Sequence, residues 1–210
     1  MNFNQYKENT YNFDSKFALS LSASSNSEIS KLKLIPVGTW LLDCEILIEK
    51  MVSMRDANSE FFFHRFQPSM EGMREYLASP IFDDRRILLM ILSQDGRAFG
   101  HMGMKLLSKT SLEIDNVLKF DDDLSGLMST SFTQMLSWAD QNSGGIEMRA
   151  QVISTNQRAI DFYATFGFKV TDVISLRAEN SHNGLTSLHD CSPVDSNSEV
   201  TKLIMTRDQL

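Results

Sequence analysis

The strongest constraint on this chain is a paired run of apolar residues near its middle. The segment RILLMILSQDGRAFGHMGMKLL, from Arg86 to Leu107, holds two apolar stretches joined by Ser93–Ala98. Asp95-Gly96 sits in the join, and Asp-Gly is a strong signal for the tight turn of a β-hairpin. A hairpin here commits the middle of the chain to a sheet, and the flanking segments decide what kind of sheet it is.

Downstream, SKTSLEIDNVLKF places Leu112, Ile114 and Leu118 at alternate positions, interrupted by Asn116, as in a strand. LMSTSFTQMLSWADQ repeats its apolar residues (Leu127, Met128, Phe132, Met135, Leu136, Ala139) at helical spacing. GGIEMRAQVIS then starts a strand after paired glycines. NQRAIDFYATFGFKV reads as a short helix capped by Asn156 that stops at Gly167 and drops into a strand. FKVTDVISLRAE and SEVTKLIMTRD are a closing pair of strands, and the polar run NSHNGLTSLHDCSPVDSN between them is predicted to be a surface loop. Upstream, residues 32–57 pass from strand to helix. Two short helices follow, broken around Pro68, with Ser69 capping the second and Met70, Met73 and Tyr76/Leu77 on its buried face. The order of helices, hairpin, strand, helix, strand, helix, hairpin fits one α/β domain, a single mixed sheet with helices on both faces. Residues 1–32 are rich in Asn, Ser and Lys and are expected to form a polar arm or an added edge element, the composition favouring weak order, with the domain spanning 33–210.

The net charge of −7 argues against a nucleic-acid binder with a broad basic face. Two distant cysteines, Cys44 and Cys191, argue against a disulfide framework and favour a reducing cytoplasm. His64, His101, His182 and His189 lack ligand spacing, so no metal site is expected. No apolar run approaches the roughly 20 residues of a membrane span.

Four features together resemble the GNAT N-acyltransferase superfamily: GHMGM after an Asp-Gly turn, the strand LEIDNVL, the loop and helix DDDLSGLMSTSFTQMLSWA, and NQRAIDFYATFGF with its Asn, Phe-Tyr and Gly-Phe. The resemblance implies a mixed sheet splayed between its fourth and fifth strands, here SLEIDNVL and IEMRAQVIS, with acetyl-CoA as cosubstrate in the split. It places the thioester carbonyl near the amides of Val117 and Leu118. It assigns the pyrophosphate to the loop and helix start at Leu124, Ser125, Gly126 and Leu127, and it brings Asn156 to the cofactor arm. Arg158, in the first helical turn, is within reach of a phosphate or faces solvent. Unpaired amides and a helix dipole favour an anion at such a helix start. The family's loop reads Arg/Gln-x-x-Gly-x-Gly/Ala. Here Asp121 occupies the basic or Gln position and Leu124 the first glycine, so only Gly126 is retained. Lys119 would replace the lost positive charge. Asp121, Asp122 and Asp123 either repel a phosphate or point to solvent and favour the helix start.

Acyl transfer to an amine needs a neutral amine, a donor for the developing oxyanion and a proton for the departing thiolate. By resemblance Tyr163 protonates the thiolate; on residue grounds alone it reads as a core tyrosine with a bonded hydroxyl. Glu113 is the first candidate for general base and Asp115 the second, because alternation puts both on one face, opposite Leu112, Ile114 and Asn116. A salt-bridged structural pair is the alternative for these two. His101 is either an assisting base or a satisfied structural histidine. Phe61, Phe62 and Phe63 cannot all face one core, so some are expected to line an acceptor pocket.

The function implied is N-acetylation of a small-molecule primary amine, such as a nucleotide-linked amino sugar, by direct attack in a ternary complex. A homodimer is compatible with it. Two alternatives stay open: a non-catalytic or regulatory protein with a degenerate CoA loop, and a protein or peptide N-acetyltransferase.

Overall fold

The computed structural model describes residues 2–21, 26–63, 68–120, 123–143, 145–180 and 186–207. Asp121, Asp122, His64, Phe66, Gly144 and His182 therefore lie outside the described residues. The elements in chain order are β1 (Leu19–Ser20), β2 (Lys33–Pro36), α1 (Glu45–Ala57), α2 (Met70–Phe82), β3 (Arg86–Leu92), β4 (Ala98–Leu106), β5 (Ser111–Lys119), α3 (Leu127–Ser143), β6 (Glu147–Ile153), α4 (Gln157–Thr165), β7 (Lys169–Asn180), β8 (Thr186–Asp190) and β9 (Thr201–Arg207). Short 3-10 turns fill several of the connections.

The strands form one mixed sheet in the order β1-β2-β3-β4-β5-β6-β9-β7-β8. The central hairpin closes as predicted, with Gly96 at φ 84° in its turn. Its first strand is apolar at every position from Ile87 to Leu92 because both faces of the sheet are covered. Ile87, Leu89 and Ile91 pack towards α3 and α4 with Leu112, Phe132, Met135 and Phe168. Leu88, Met90 and Leu92 pack towards α1 and α2 with Ile48, Met51, Met73 and Leu77. Ser69 caps α2 by accepting a hydrogen bond from the Gly72 amide at 3.0 Å. The N-terminal segment contributes to the first of these cores: Phe3 and Leu21 are fully buried, and Phe3 stacks on Trp138 at 6.2 Å.

The structure corrects the sequence on the last connection. Within the run predicted to be a loop, Thr186–Asp190 form β8, paired antiparallel with Leu176–Asn180 of β7. Leu188 is buried with Ile153 and Leu176, and its amide donates to the Phe63 carbonyl at 2.9 Å. Non-local pairing makes this polar stretch a strand. The resulting hairpin reaches back towards the segment that joins α1 to α2.

Candidate active site

β5 and β6 are the parallel pair of the sheet, and their pairing stops at Ile114–Ala150 although both strands run on, to Lys119 and Ile153. Beyond that point the sheet parts over a cleft of about 1240 Å³. Two local devices shape the β5 wall.

The first is a bulge. Gly103 pairs with Asp115 and His101 with Leu118, so Asn116 and Val117 together face the single residue Met102. Asn116 takes up the extra length at φ 52°, a left-handed conformation that asparagine tolerates better than most residues. The Tyr76 hydroxyl donates to Asn116 Oδ1, and His101 Nδ1 lies 2.6 Å from the Asn116 carbonyl. A carbonyl only accepts, so Nδ1 carries the proton. Burial lowers the His101 pKa to about 4, so the ring is neutral at physiological pH and acts as a structural clamp on the bulge. The expectation that Asn116 shares the face of Leu112 and Ile114 is corrected: its side chain reaches α2, on the opposite side. Past the bulge the alternation resumes out of step, with Val117 packing towards α3 and α4 and Leu118 and Phe120 towards α1 and α2.

The second device is Gly103 on β4. A Cβ there would lie 2.3 Å from Asp115 Oδ1, so only glycine leaves room for the carboxylate. Asp115 is held by Arg86, with Nη2 to Oδ2 at 2.7 Å and both side chains largely buried. Burial still raises the Asp115 pKa, against the lowering by Arg86. Glu113, two residues earlier on the same face, accepts a hydrogen bond from Gln151 Nε2 of β6. Its pKa is also raised, first by burial.

Tyr163 enters the cleft from α4. Helix and side chain are fixed by the chain's own stop signal. Gly167 at φ 83° lets the Phe168 amide reach the Tyr163 carbonyl (3.2 Å) and the Gly167 amide reach the Ala164 carbonyl (3.0 Å). The Tyr163 ring packs against Phe132 and Phe168 at centroid distances of 5.7 and 5.5 Å. Its hydroxyl makes no hydrogen bond among the described residues, and the residue lines the cleft. Burial raises its pKa, and the charges of Asp115 and Glu113 raise it further, so it is a phenol at every physiological pH.

Of the residues assigned to the cofactor, Val117, Leu118, Lys119, Asn156 and Arg158 line the cleft. Asn156 also caps α4, accepting from the Ala159 amide at 3.1 Å. The Phe120 amide is given to Phe99 of β4 at 2.9 Å, so alternation turns the Leu118 amide to β4 and the Val117 and Lys119 amides to the open gap. Leu124, Ser125, Gly126 and Leu127 lie at the start of α3. Leu127 and Leu124 pack on the core, and Gly126 has φ 80°. The amides of Gly126, Met128 and Ser129 have no backbone partner among the described residues. Asp123 is turned to Arg97 at 2.9 Å.

The sequence did not reveal Arg55, Arg86, Gln151 or Lys202 as cleft residues. Charged side chains are expected outside a core, and only Tyr76 carried a signal, as part of the buried face of α2. Lys202 reaches Asp190 of β8 from inside the cleft. Among the described residues no cluster fit to hold a metal ion occurs.

No protein-family model and no curated protein matches the sequence. Solved structures do. A probable acetyltransferase of the GNAT family from Chromobacterium violaceum superposes with a TM-score of 0.63 at 12% identity, over 95% of this chain and 89% of that one. This chain has the GNAT fold. A Salmonella typhimurium acetyltransferase that modifies the N-terminal serine of ribosomal protein L7/L12 gives 0.66 at 14% identity, over 91% and 98% of the two chains. Spermidine N-acetyltransferase from Vibrio cholerae, in complex with CoA and spermine, gives 0.61 at 13%, over 86% and 96%.

Proposed function

We propose that the chain is an acetyl-CoA-dependent N-acetyltransferase acting on a small-molecule primary amine. The observation that carries this reading is the parting of β5 and β6 over a cleft that holds Glu113, Asp115 and Tyr163 together. Acetyl-CoA supplies an activated thioester as a substrate. The residues suited to hold it are Val117, whose amide faces the gap as a donor for the thioester carbonyl, and the start of α3, whose amides favour a phosphate. Lys119, Asn156 and Arg158 line the same end of the cleft.

The acceptor amine gives up a proton to Glu113. Asp115 is the weaker choice of base because Arg86 already occupies its carboxylate. The amine nitrogen attacks the carbonyl carbon, the C–S bond breaks and the electron pair leaves on sulfur. Tyr163 faces that thiolate. Its pKa is raised above the ordinary phenol value, well above the ~8.5 of a thiol. Full proton transfer would therefore run uphill, and Tyr163 acts as a hydrogen-bond donor to the sulfur. The proton that Glu113 took from the amine returns through solvent to the CoA thiolate, which gives the product thiol and restores the Glu113 carboxylate. No covalent enzyme intermediate is involved.

A nucleotide-linked amino sugar heads the acceptors to be tried, and composition favours a cytoplasmic setting. The protein-amine alternative draws on the Salmonella likeness. Release of CoA thiol against a panel of amino sugars, polyamines and free N-terminal peptides separates these classes. Calorimetry with acetyl-CoA tests the common premise: no heat at millimolar ligand would leave a non-catalytic protein on the same fold.

A further inference from the structure

Three consecutive phenylalanines follow α1, and they do different work. Phe63 packs on Ile153 and Leu188, and its carbonyl accepts from the Leu188 amide, which pins the segment to β8. Phe61 and Phe62 line the cleft, are half-buried and belong to none of the buried clusters of the described residues. This apolar wall borders the proposed base. Glu113 is tied to Gln151 of β6, and Ile153 lies two residues further along the same face. Lys202 of β9 pairs with Ile153 and sits 5.9 Å from the Phe63 ring centroid.

The polar groups around this wall already have partners. Arg55 is hydrogen-bonded to Tyr76 and stacked on the Phe62 ring at 4.0 Å. The Tyr76 hydroxyl is given to Asn116, and Asn58 Nδ2 to the Met54 carbonyl at 2.7 Å. Arg86 holds Asp115, and Lys202 holds Asp190. The remaining cations of the described lining, Lys119 and Arg158, are those suited to acetyl-CoA. An acceptor rich in hydroxyls has to break one of these bonds or leave its own groups unpaired. A polyamine brings further cations towards Arg55, Arg86 and Lys202. An apolar group needs no polar partner and takes water off the Phe61 and Phe62 rings.

We propose that the acceptor is a primary amine on an uncharged apolar arm, an arylalkylamine or a branched alkylamine, with its nitrogen at Glu113 and its apolar group on Phe61 and Phe62. The proposal rests on the acetyltransferase reading and narrows its small-molecule amine, placing the amino sugar second. The transfer is the one given above: the amine nitrogen bonds the carbonyl carbon, the C–S bond breaks, and the amine's proton ends on the CoA thiol.

The test is release of CoA thiol by the full chain from acetyl-CoA with phenethylamine, isopentylamine, ethanolamine, glucosamine and spermidine. Calorimetric titration of the same amines in the presence of CoA runs beside it. The expected result is a kcat/KM for at least one apolar amine about ten- to a hundredfold above that for ethanolamine, the range for burying one such group. The phenyl and branched arms tell which shape is preferred. Phe61→Ala and Phe62→Ala should each shrink that ratio, and Phe61→Leu should retain most of it. A ratio taken within one variant does not depend on how much of that variant is folded. A wild-type ratio near one, a preference for glucosamine or spermidine, or a ratio unchanged in both alanine variants would overturn the proposal. Binding selective for the apolar amines without thiol release would sustain the subsite and sink the transfer reading. Thiol release confined to glucosamine would do the reverse.

Discussion

Replacing Arg86 by methionine tests how the site manages buried charge. Arg86 Nη2 and Asp115 Oδ2 are 2.7 Å apart, and the side chains are 17% and 19% exposed. Methionine keeps most of the stem's packing and removes the charge, leaving Asp115 buried without its guanidinium. Breaking such a pair from one side costs about 3–5 kcal/mol at neutral pH. For a domain of this size that lowers the melting temperature by roughly 6–20 °C. The loss must depend on pH. In the wild type the folded Asp115 already holds its proton more tightly than the unfolded chain does, because burial outweighs Arg86. Stability from this group is therefore greatest below the ordinary carboxylate value and falls as pH rises towards the raised one. Without Arg86 the folded value climbs further, so the fall is deeper and extends to higher pH. The deficit of Arg86→Met relative to wild type should shrink on acidification towards the ordinary aspartate range. Arg86→Met/Asp115→Asn, which removes both charges, should recover most of the neutral-pH loss. Urea melts of the wild type, Arg86→Met, Asp115→Asn and the double variant at pH 4.5 and pH 8 measure this. An equal deficit at both pH values, or coupling below about 0.5 kcal/mol in the cycle, refutes the argument, since distant or independent sites add to within that range.

Glu113→Gln should reduce kcat by about 10²–10⁴ at neutral pH, the usual worth of a general base, and should remove the acid limb of the kcat/KM profile. That limb should lie above the ordinary glutamate value, because burial raises Glu113; a limb at or below it argues for another base. Tyr163→Phe should lower kcat with little change in KM for acetyl-CoA, read by thiol release, and unchanged turnover removes the hydroxyl from the reaction. His101 titrates with the opposite sign to Asp115. Its folded value is about 4 against 6.5 ordinarily, so it contributes stability above 6.5 that is lost as pH falls towards about 4. His101→Gln should flatten that part of the stability curve, and a curve of unchanged slope would show that the ring is not held neutral.

What was legible in the sequence was local. Asp95-Gly96 wrote the hairpin, 3.6-residue spacing wrote α3, Ser69 and Asn156 wrote their caps, and Gly167 wrote the end of α4 through its positive φ. What escaped depended on partners far along the chain. TSLHD has little strand character of its own and becomes β8 because β7 pairs with it and Leu188 finds Ile153, Leu176 and the Phe63 carbonyl. Alternation misplaced Asn116 because a two-residue period has no way to announce an extra residue, and an asparagine tolerates φ 52° without requiring it. Arg55 and Arg86 read as surface charges until Tyr76 and Asp115, contributed by α2 and β5, bury them.

The acidic loop poses the remaining electrostatic question, because the sequence puts three aspartates just before the helix start proposed to hold a phosphate. A carboxylate 4 Å from a phosphate costs about 1 kcal/mol in water and more where water is excluded. Asp123 is turned away from that role by Arg97, a residue of the hairpin turn, at 2.9 Å and with both side chains about half exposed or more. An exposed pair of this kind adds little stability, but it offsets the field of the carboxylate locally. The amides of Gly126, Met128 and Ser129 and the cationic lining at Lys119 and Arg158 act in the other direction. Under the proposed reading, phosphate binding at α3 depends on the balance between the backbone dipoles and the charges of Asp121 and Asp122. Replacing those two by glycine and arginine should tighten acetyl-CoA if they are the obstacle and leave it unchanged if the helix start already dominates, and the Arg97–Asp123 pair makes the second outcome the expected one for Asp123→Asn.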